Sequence, residues 1–315
     1  MKREEFIFNT MVYQYINLED EKGNKVIDEA SNIMRSFEEK LSFFKENSEV
    51  SLINKNAGVR FVKVSKETFE IIKKAKYYSK ITNGLFDITI APLMELWKIS
   101  SKSPMIPREK EIKDFLKLVN YCDIKIDEEN ESVMLLNKNQ KIDLGGIAKG
   151  YIADKIIEFY ERNNVKSAII NIGGNVKVLG KKEDENLWKV GIVEPLKHSV
   201  ENICAIDVSN KSVVTSGDYE RGFICKDKYY HHILNPKNGN PSNSDLKSIT
   251  LVTDESIDAD ALATPLFIMG KDDASNFMIA NGIKGIMVTN DNKIIINKEL
   301  LPYFTLIKDY EVLAF

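Results

Sequence analysis

Histidine and cysteine are scarce in this chain, three of each among 315 residues. Cys122, Cys204 and Cys225 are an odd number, widely scattered, with no metal-type spacing; they read as reduced, structural thiols of a cytoplasmic protein. His198, His231 and His232 are too few for a multi-histidine metal site. Long apolar runs are missing as well: none approaches the roughly 18 residues of a membrane span. The start, Met1-Lys2-Arg3-Glu4-Glu5-Phe6, turns acidic at once and lacks the apolar core of a signal peptide. There is no basic surplus. The formal net charge is -3, and no basic stripe interleaves with aromatics, which argues against nucleic-acid binding. Short-period repeats and low-complexity linkers are absent. What remains is an ordinary globular composition, 43% hydrophobic and 29% charged, long enough for one large domain or two packed lobes. A two-lobed single unit spanning 1–315 fits best.

The hydrophobic periods divide the chain in two styles. Residues 6–18 are rich in aromatic and β-branched types and read as a strand. Residues 22–43 follow a helical period, and a second helix fits 66–82 after a Ser65 cap. Pro92 opens a helix to about Lys98. A polar loop covers 101–107, and Pro107 opens another helix to about Leu118. Short strands fit 123–127 and 132–137. A Gly-rich turn then leads into a helix ending near Asn163. Strands follow at 167–172, 175–180, 187–193, 203–209, 211–215, 221–226, 229–234 and 246–253. Helices at 256–269 and 271–281 and strands at 285–290 and 293–297 complete the pattern. Because strands mostly follow strands through tight turns, the fold class is α+β: mixed, largely antiparallel sheets flanked by helices.

Several short stretches carry chemistry, each with a plain structural alternative. In Ser256-Ile257-Asp258-Ala259-Asp260-Ala261-Leu262-Ala263-Thr264, a helix puts Asp260 and Thr264 on one face and Asp258 off it. A carboxylate and a hydroxyl there suit a hard cation. Magnesium prefers oxygen ligands and often completes its shell with substrate phosphates. The alternative is an acidic residue that merely caps the helix or complements its dipole. Gly145-Gly146 sits between a strand-like segment and a helix N-terminus, a place where backbone approaches phosphate, or simply a strand-to-helix turn. It has neither the dinucleotide nor the P-loop spacing. Lys149 either neutralises a phosphate or points to water. Ile172-Gly173-Gly174-Asn175 and Thr215-Ser216-Gly217-Asp218-Tyr219 line a ligand or just turn the chain. In His231-His232-Ile233-Leu234-Asn235-Pro236, strand alternation lets only one histidine face a given site. His232 suits proton transfer, or is solvated. Thr89, in Phe86-Asp87-Ile88-Thr89, caps the following helix or serves a site.

Taken in order, these pieces resemble the FAD:protein FMN transferase family, the ApbE-like flavin transferases. The matching motifs are Phe86-Asp87-Ile88-Thr89 with Pro92-Leu93 and Trp97; Asp143-Leu144-Gly145-Gly146-Ile147-Ala148-Lys149-Gly150-Tyr151 with Asp154; Ile172-Gly173-Gly174-Asn175; Trp188-Lys189-Val190-Gly191-Ile192 with Pro195; Thr215-Ser216-Gly217-Asp218-Tyr219; His232-Ile233-Leu234-Asn235-Pro236 with Gly239 and Pro241; and Ala259-Asp260-Ala261-Leu262-Ala263-Thr264. They span about 83–270, with weaker similarity over nearly the whole chain.

The resemblance implies Mg2+-dependent cleavage of the FAD pyrophosphate, release of AMP, and attachment of FMN by a phosphoester bond to a Thr or Ser of an acceptor flavoprotein. It implies metal ligands at Asp260, the Thr264 hydroxyl and the main-chain carbonyl of Gly146. A fourth family position falls on Ala263, which has no side-chain oxygen. FAD contacts carry over to Phe86, Asp87, Ile88, Asp143, Lys149 and Leu234, several through backbone. His232 is the expected proton acceptor, with Asp260 and Thr264 completing the catalytic set. The chain departs from the family where Met-Gly-Thr is replaced by Phe8-Asn9-Thr10, where Phe44 stands for a Tyr ahead of Ser48-Glu49-Val50, and where the histidine motif ends in Asn235 rather than Asp. Many relatives are exported lipoproteins; with no export signal, a cytoplasmic location is expected here. Two other readings share these residues: an FAD pyrophosphatase giving FMN and AMP, and a flavin-binding protein without turnover.

Overall fold

Nine strands form one sheet in which neighbours follow the order of the chain. Its strands are Lys2–Ile7, Thr10–Ile16, Ala168–Ile172, Asn175–Leu179, Ser212–Gly217, Leu246–Thr253, Lys284–Thr289, Lys293–Ile296 and Glu311–Ala314. Every pairing is antiparallel except the last, where Glu311–Ala314 lies parallel to Lys293–Ile296. The computed structural model describes every residue except Ser100, Lys102 and Lys197, and only the backbone of Asp20. Within the expected 101–107 loop, Lys102 therefore lies outside the described residues.

The chain forms two compact units. One comprises Met1–Glu38, Lys149–Gly217 and Ser244–Phe315; the other comprises Glu39–Ala148 and Asp218–Asn243. Both draw on separated stretches of chain. The large sheet belongs to the first unit, and side-chain alternation along the Thr10–Ile16 strand explains its two faces. Buried Gln14 meets helices, accepting from Tyr160 Oη at 2.5 Å and donating to Ser31 Oγ at 3.1 Å. Its neighbour Tyr15 points the opposite way and packs edge-on against Trp188 at 5.8 Å. Trp188 belongs to a second sheet of Trp188–Val193, Asn202–Val208 and Phe304–Leu306. Val190, Ile206, Val213, Val252, Ile286 and Ile294 are among the residues that fill the space between these sheets. The first unit is thus a sheet with helices on one face and a smaller sheet on the other, the layering expected when each sheet must bury a hydrophobic face.

The second unit carries the helices Glu49–Lys55, Lys66–Ile81, Ala91–Trp97 and Glu109–Leu116. It also holds a small sheet of Val62–Lys63, Ser132–Leu135 and Ile124–Asp127, and a hairpin of Gly222–Cys225 with Lys228–His231. Leu93, Trp97, Ile99, Ile112 and Leu234 form one of its cores, with Phe223 and Tyr230 packed against it. Trp97 Nε1 donates to the Gly239 carbonyl at 2.8 Å, so the buried indole is satisfied. Gly239 has φ +71, and a Cβ there would come within 2.8 Å of Ile112, so the turn requires glycine.

The α+β class and the largely antiparallel pairing agree with the sequence. Local boundaries differ in instructive ways. The expected 6–18 strand is a hairpin, because Phe8 and Asn9 take φ 57 and 56 and turn the chain. No Gly or Pro marks that turn, so the apolar run hides it. Pro107 does not open a helix; the helix is Glu109–Leu116, with Glu111 accepting from the Arg108 N–H at 2.8 Å. Ser65 stands at a helix start but does not cap it; its hydroxyl donates to Glu49 at 2.8 Å instead. The short Glu49–Lys55 helix, capped by Ser48 on the Ser51 N–H at 3.0 Å, was not foreseen, nor were Val62–Lys63, Phe304–Leu306 and Glu311–Ala314. These elements are too short for a periodicity to register. Among the described residues, no helix is long and apolar enough to cross a membrane.

Candidate active site

In the first unit, two helices exchange caps at their N-terminal turns. The helix Ala148–Arg162 begins directly after the Gly145-Gly146 turn, and the helix Ser256–Met269 carries Asp260 and Thr264. Asp260, only 6% exposed, accepts the Gly150 N–H on Oδ2 at 2.9 Å. Its Oδ1 faces Lys149 Nζ at 3.4 Å. The Asp260 carboxylate thus lies at the positive end of the partner helix, where anions are favoured. In return, Asp154 of the first helix accepts the Ser256 and Ile257 N–H groups at 2.7 and 2.9 Å. Gly150 makes the approach possible: a Cβ there would meet the Ser256 carbonyl oxygen at 2.4 Å.

Asp154 is also paired with a buried lysine. Lys177 Nζ lies 2.6 Å from Asp154 Oδ1 and donates to the Asp254 carbonyl at 2.7 Å. Burial pushes the Asp154 carboxyl up, opposed by Lys177 and the two N–H donors. Thr264 Oγ1 is 3.4 Å from Ser216 Oγ, on the Ser212–Gly217 strand. The expectation that Asp260 and Thr264 share a helix therefore holds, and Asp258 falls in the first turn of that helix. Neither residue caps its own helix; Asp154 does so from outside.

The second unit gathers most of the other candidates. Ile88 accepts the Asp143 N–H at 2.8 Å, which joins two of the expected FAD contacts. Asp143 Oδ1 accepts the Gly145 N–H at 2.7 Å, shaping the glycine turn. The open side of Gly146 faces the Phe86 ring at 3.5 Å. Asp87 is buried, and its carboxylate serves the chain itself: Oδ1 accepts from Thr89 N and Oγ1 at 2.8 and 2.6 Å, Oδ2 from Tyr121 N at 2.9 Å. The cap of this turn is Asp87, not Thr89, whose hydroxyl instead accepts the Asn120 N–H at 2.8 Å. Burial pushes the Asp87 carboxyl up. Phe44 is 87% exposed.

The expected 229–234 strand stops at His231, so packing rather than strand alternation separates the two adjacent histidines. His231 is buried; its Nε2 bonds the Ser242 carbonyl at 2.8 Å and its Nδ1 accepts the Ile233 N–H at 3.3 Å. His232 is half-buried, with Nδ1 3.3 Å from the Arg221 carbonyl. An Nδ1–H donated to that carbonyl leaves the lone pair on Nε2, the tautomer a proton acceptor needs. Leu234 is packed in the core beside Leu93 and Trp97, so any ligand contact it makes is through backbone. Burial pushes the His231 pKa below its usual 6.5. A depressed histidine pKa means the unfolded chain takes up the proton first, so stability is full above about 6.5 and falls as pH drops below it. Urea midpoints at pH 7.5 and 5.5 are expected to show this slope, and His231→Gln is expected to flatten it.

Asp260 and Thr264 supply hard oxygens, which fits a magnesium ion that takes its remaining ligands from water and substrate phosphate. Among the described residues, no cluster of three or more His, Cys, Asp or Glu side chains could hold a metal by itself. Sequence reading missed the roles of Asp154, Lys177 and Ser216. A signal for Lys177 was present: a lysine in the middle of Asn-Val-Lys-Val-Leu, an otherwise buried strand, demands a partner.

A family model described as "ApbE family" matches residues 8–287. The chain belongs to the ApbE family. Among curated relatives, the FAD:protein FMN transferase of Klebsiella pneumoniae (strain 342) is 34% identical over 283 residues, 89% of this chain and 88% of that one. That of Treponema pallidum (strain Nichols) is 29% identical over 257 residues, 78% and 71% of the two chains. The ApbE protein of Thermotoga maritima superposes with a TM-score of 0.89 at 30% identity, covering 96% of this chain and 98% of that one. The flavin transferase ApbE of Vibrio cholerae, at 23% identity and TM-score 0.85 over 96% and 98% of the two chains, has the same fold.

Proposed function

We propose that this transferase moves FMN from FAD to a Thr or Ser hydroxyl of an acceptor flavoprotein, releasing AMP, with residues 1–315 acting as one functional domain. The observation that carries this reading is the Asp260–Thr264 face, with its buried carboxylate held by the Gly150 N–H and facing Lys149. Mg2+ is assigned to Asp260, the Thr264 hydroxyl and the Gly146 main-chain carbonyl; the Ala263 position adds no side-chain oxygen. Bound there, the ion supplies charge neutralisation for pyrophosphate oxygens.

The chain's own residues do the rest. Lys149, at the N-terminal turn of a helix, suits binding of a phosphate. Phe86, Asp87, Ile88, Asp143 and Leu234 are assigned to holding FAD, Asp87 and Leu234 through their backbone. His232 Nε2 takes the proton of the acceptor hydroxyl as its oxygen bonds to the FMN-side phosphorus. The P–O bond to AMP breaks, and AMP leaves with the electron pair. The three free cysteines suit a reducing compartment, and we place the protein in the cytoplasm.

His232→Ala is expected to slow transfer by about 10²-fold or more. Full transfer rate with an unchanged pH profile would rule the base role out. The overall reading is tested by incubating the protein with FAD and Mg2+, measuring AMP, and adding a flavoprotein acceptor followed by in-gel flavin fluorescence. AMP without fluorescent acceptor would indicate a pyrophosphatase, and no AMP would indicate a binder.

A further inference from the structure

We propose that Asp154 and Lys177 are positioning residues that set the metal affinity of Asp260 and Thr264; this rests on reading those two residues as the metal half-site. The two helices are tied at two rungs. On one, Gly150 N–H holds Asp260 Oδ2 at 2.9 Å. On the other, one helical turn further along the first helix and one turn back along the second, Asp154 holds the Ser256 and Ile257 N–H groups at 2.7 and 2.9 Å. Lys177 locks the second rung from the sheet, reaching both Asp154 Oδ1 at 2.6 Å and the Asp254 carbonyl just ahead of the helix at 2.7 Å. Ser212 Oγ adds a bond to Ser256 Oγ at 2.8 Å.

This geometry fixes where the Ser256–Met269 helix starts and how it is rotated. The helix itself keeps Asp260 and Thr264 on one face; its rotation decides how that shared face is turned toward the N-terminal turn of the first helix, where Lys149 and the Gly150 N–H meet Asp260. Both Asp154 and Lys177 are less than a tenth exposed, so their contacts are not exchanged for water. Neither needs to touch substrate or metal; each acts through the helix that carries the ligands. A ligand pair displaced by a fraction of an ångström binds a cation less well, even when the chain remains folded.

The test uses the full chain with Asp154→Asn and Lys177→Met, and with Ile206→Ala as a core truncation remote from the helix pair. Two quantities are read: the Mg2+ concentration giving half-maximal AMP release, and Mn2+ binding by electron paramagnetic resonance in the absence of FAD. Both constants are expected to rise by about 10–100-fold in the two positioning variants. The kcat at saturating Mg2+ is expected to stay within about threefold, and Ile206→Ala is expected to leave both constants at the parent value. If the parent shows no Mg2+-dependent AMP release, or if Asp260→Asn binds Mn2+ as the parent does, the half-site reading and the positioning role both fall. If the parent passes both checks and the two variants bind Mn2+ as it does, the positioning role alone is overturned.

Discussion

Asp260→Asn is expected to reduce FMN transfer and AMP release by about 10²–10³-fold, the rate equivalent of several kcal/mol of lost transition-state stabilisation. The substitution is nearly isosteric. An amide oxygen can still accept the Gly150 N–H, now found at 2.9 Å from Oδ2, so the tie between the helices survives. What disappears is the negative charge that faces Lys149. A neutral amide is a poor ligand for a hard divalent cation, and it leaves the Lys149 ammonium without its carboxylate. The loss is therefore expected in turnover and in the Mg2+ requirement, with little change in the unfolding midpoint. A Mg2+ titration of AMP release for parent and variant measures it; an unchanged Mg2+ dependence would remove Asp260 from the metal site.

The largest loss of stability is expected at Asp154. Truncation to alanine strands a buried ammonium on Lys177 and leaves the Ser256 and Ile257 N–H groups without an acceptor. Breaking a buried ion pair from one side costs about 3–5 kcal/mol, because the remaining charge stays desolvated. Urea denaturation at pH 7 should show a fall of that size. A change below about 1 kcal/mol would mean that the pair is not buried as the structure has it. Replacing both partners, Asp154→Leu with Lys177→Met, is expected to recover a substantial part of the loss, since no charge is then left unpaired. The two variants therefore separate by readout: Asp260→Asn affects turnover, Asp154→Ala affects folding.

Much of the fold could be read from the chain. Long helices such as Lys66–Ile81 and Ala148–Arg162 announced themselves by period, and the succession of short strands pointed to antiparallel pairing. The Phe8-Asn9 turn did not, because Asn9 is a lone turn residue inside an apolar run with no Gly or Pro beside it, and only the positive φ values of the two residues reveal it. At the candidate site, the Asp260/Thr264 spacing was visible because both residues belong to one helix. The roles of Asp87 and Asp154 were not. Their carboxylates serve N–H groups of other segments, Tyr121 for Asp87 and Ser256 for Asp154, and such pairings leave no local pattern.

The order of motifs from Phe86 to Thr264 was enough to place the chain in its family, since side-chain identity and spacing are properties of the sequence alone. The choice between the adjacent histidines was not determined there: the strand ends at His231, and tertiary packing decided that His231 is the buried one. Only the tertiary structure made Asp260 more than a helix-start acid. Its partner, the Gly150 N–H, comes from a helix over a hundred residues away, brought close because a glycine allows backbone contact and a buried Asp154–Lys177 pair holds the second helix in place. A hydrogen bond depends on distance and direction in space, so residues far apart in the chain acquire these roles only when the fold assembles them.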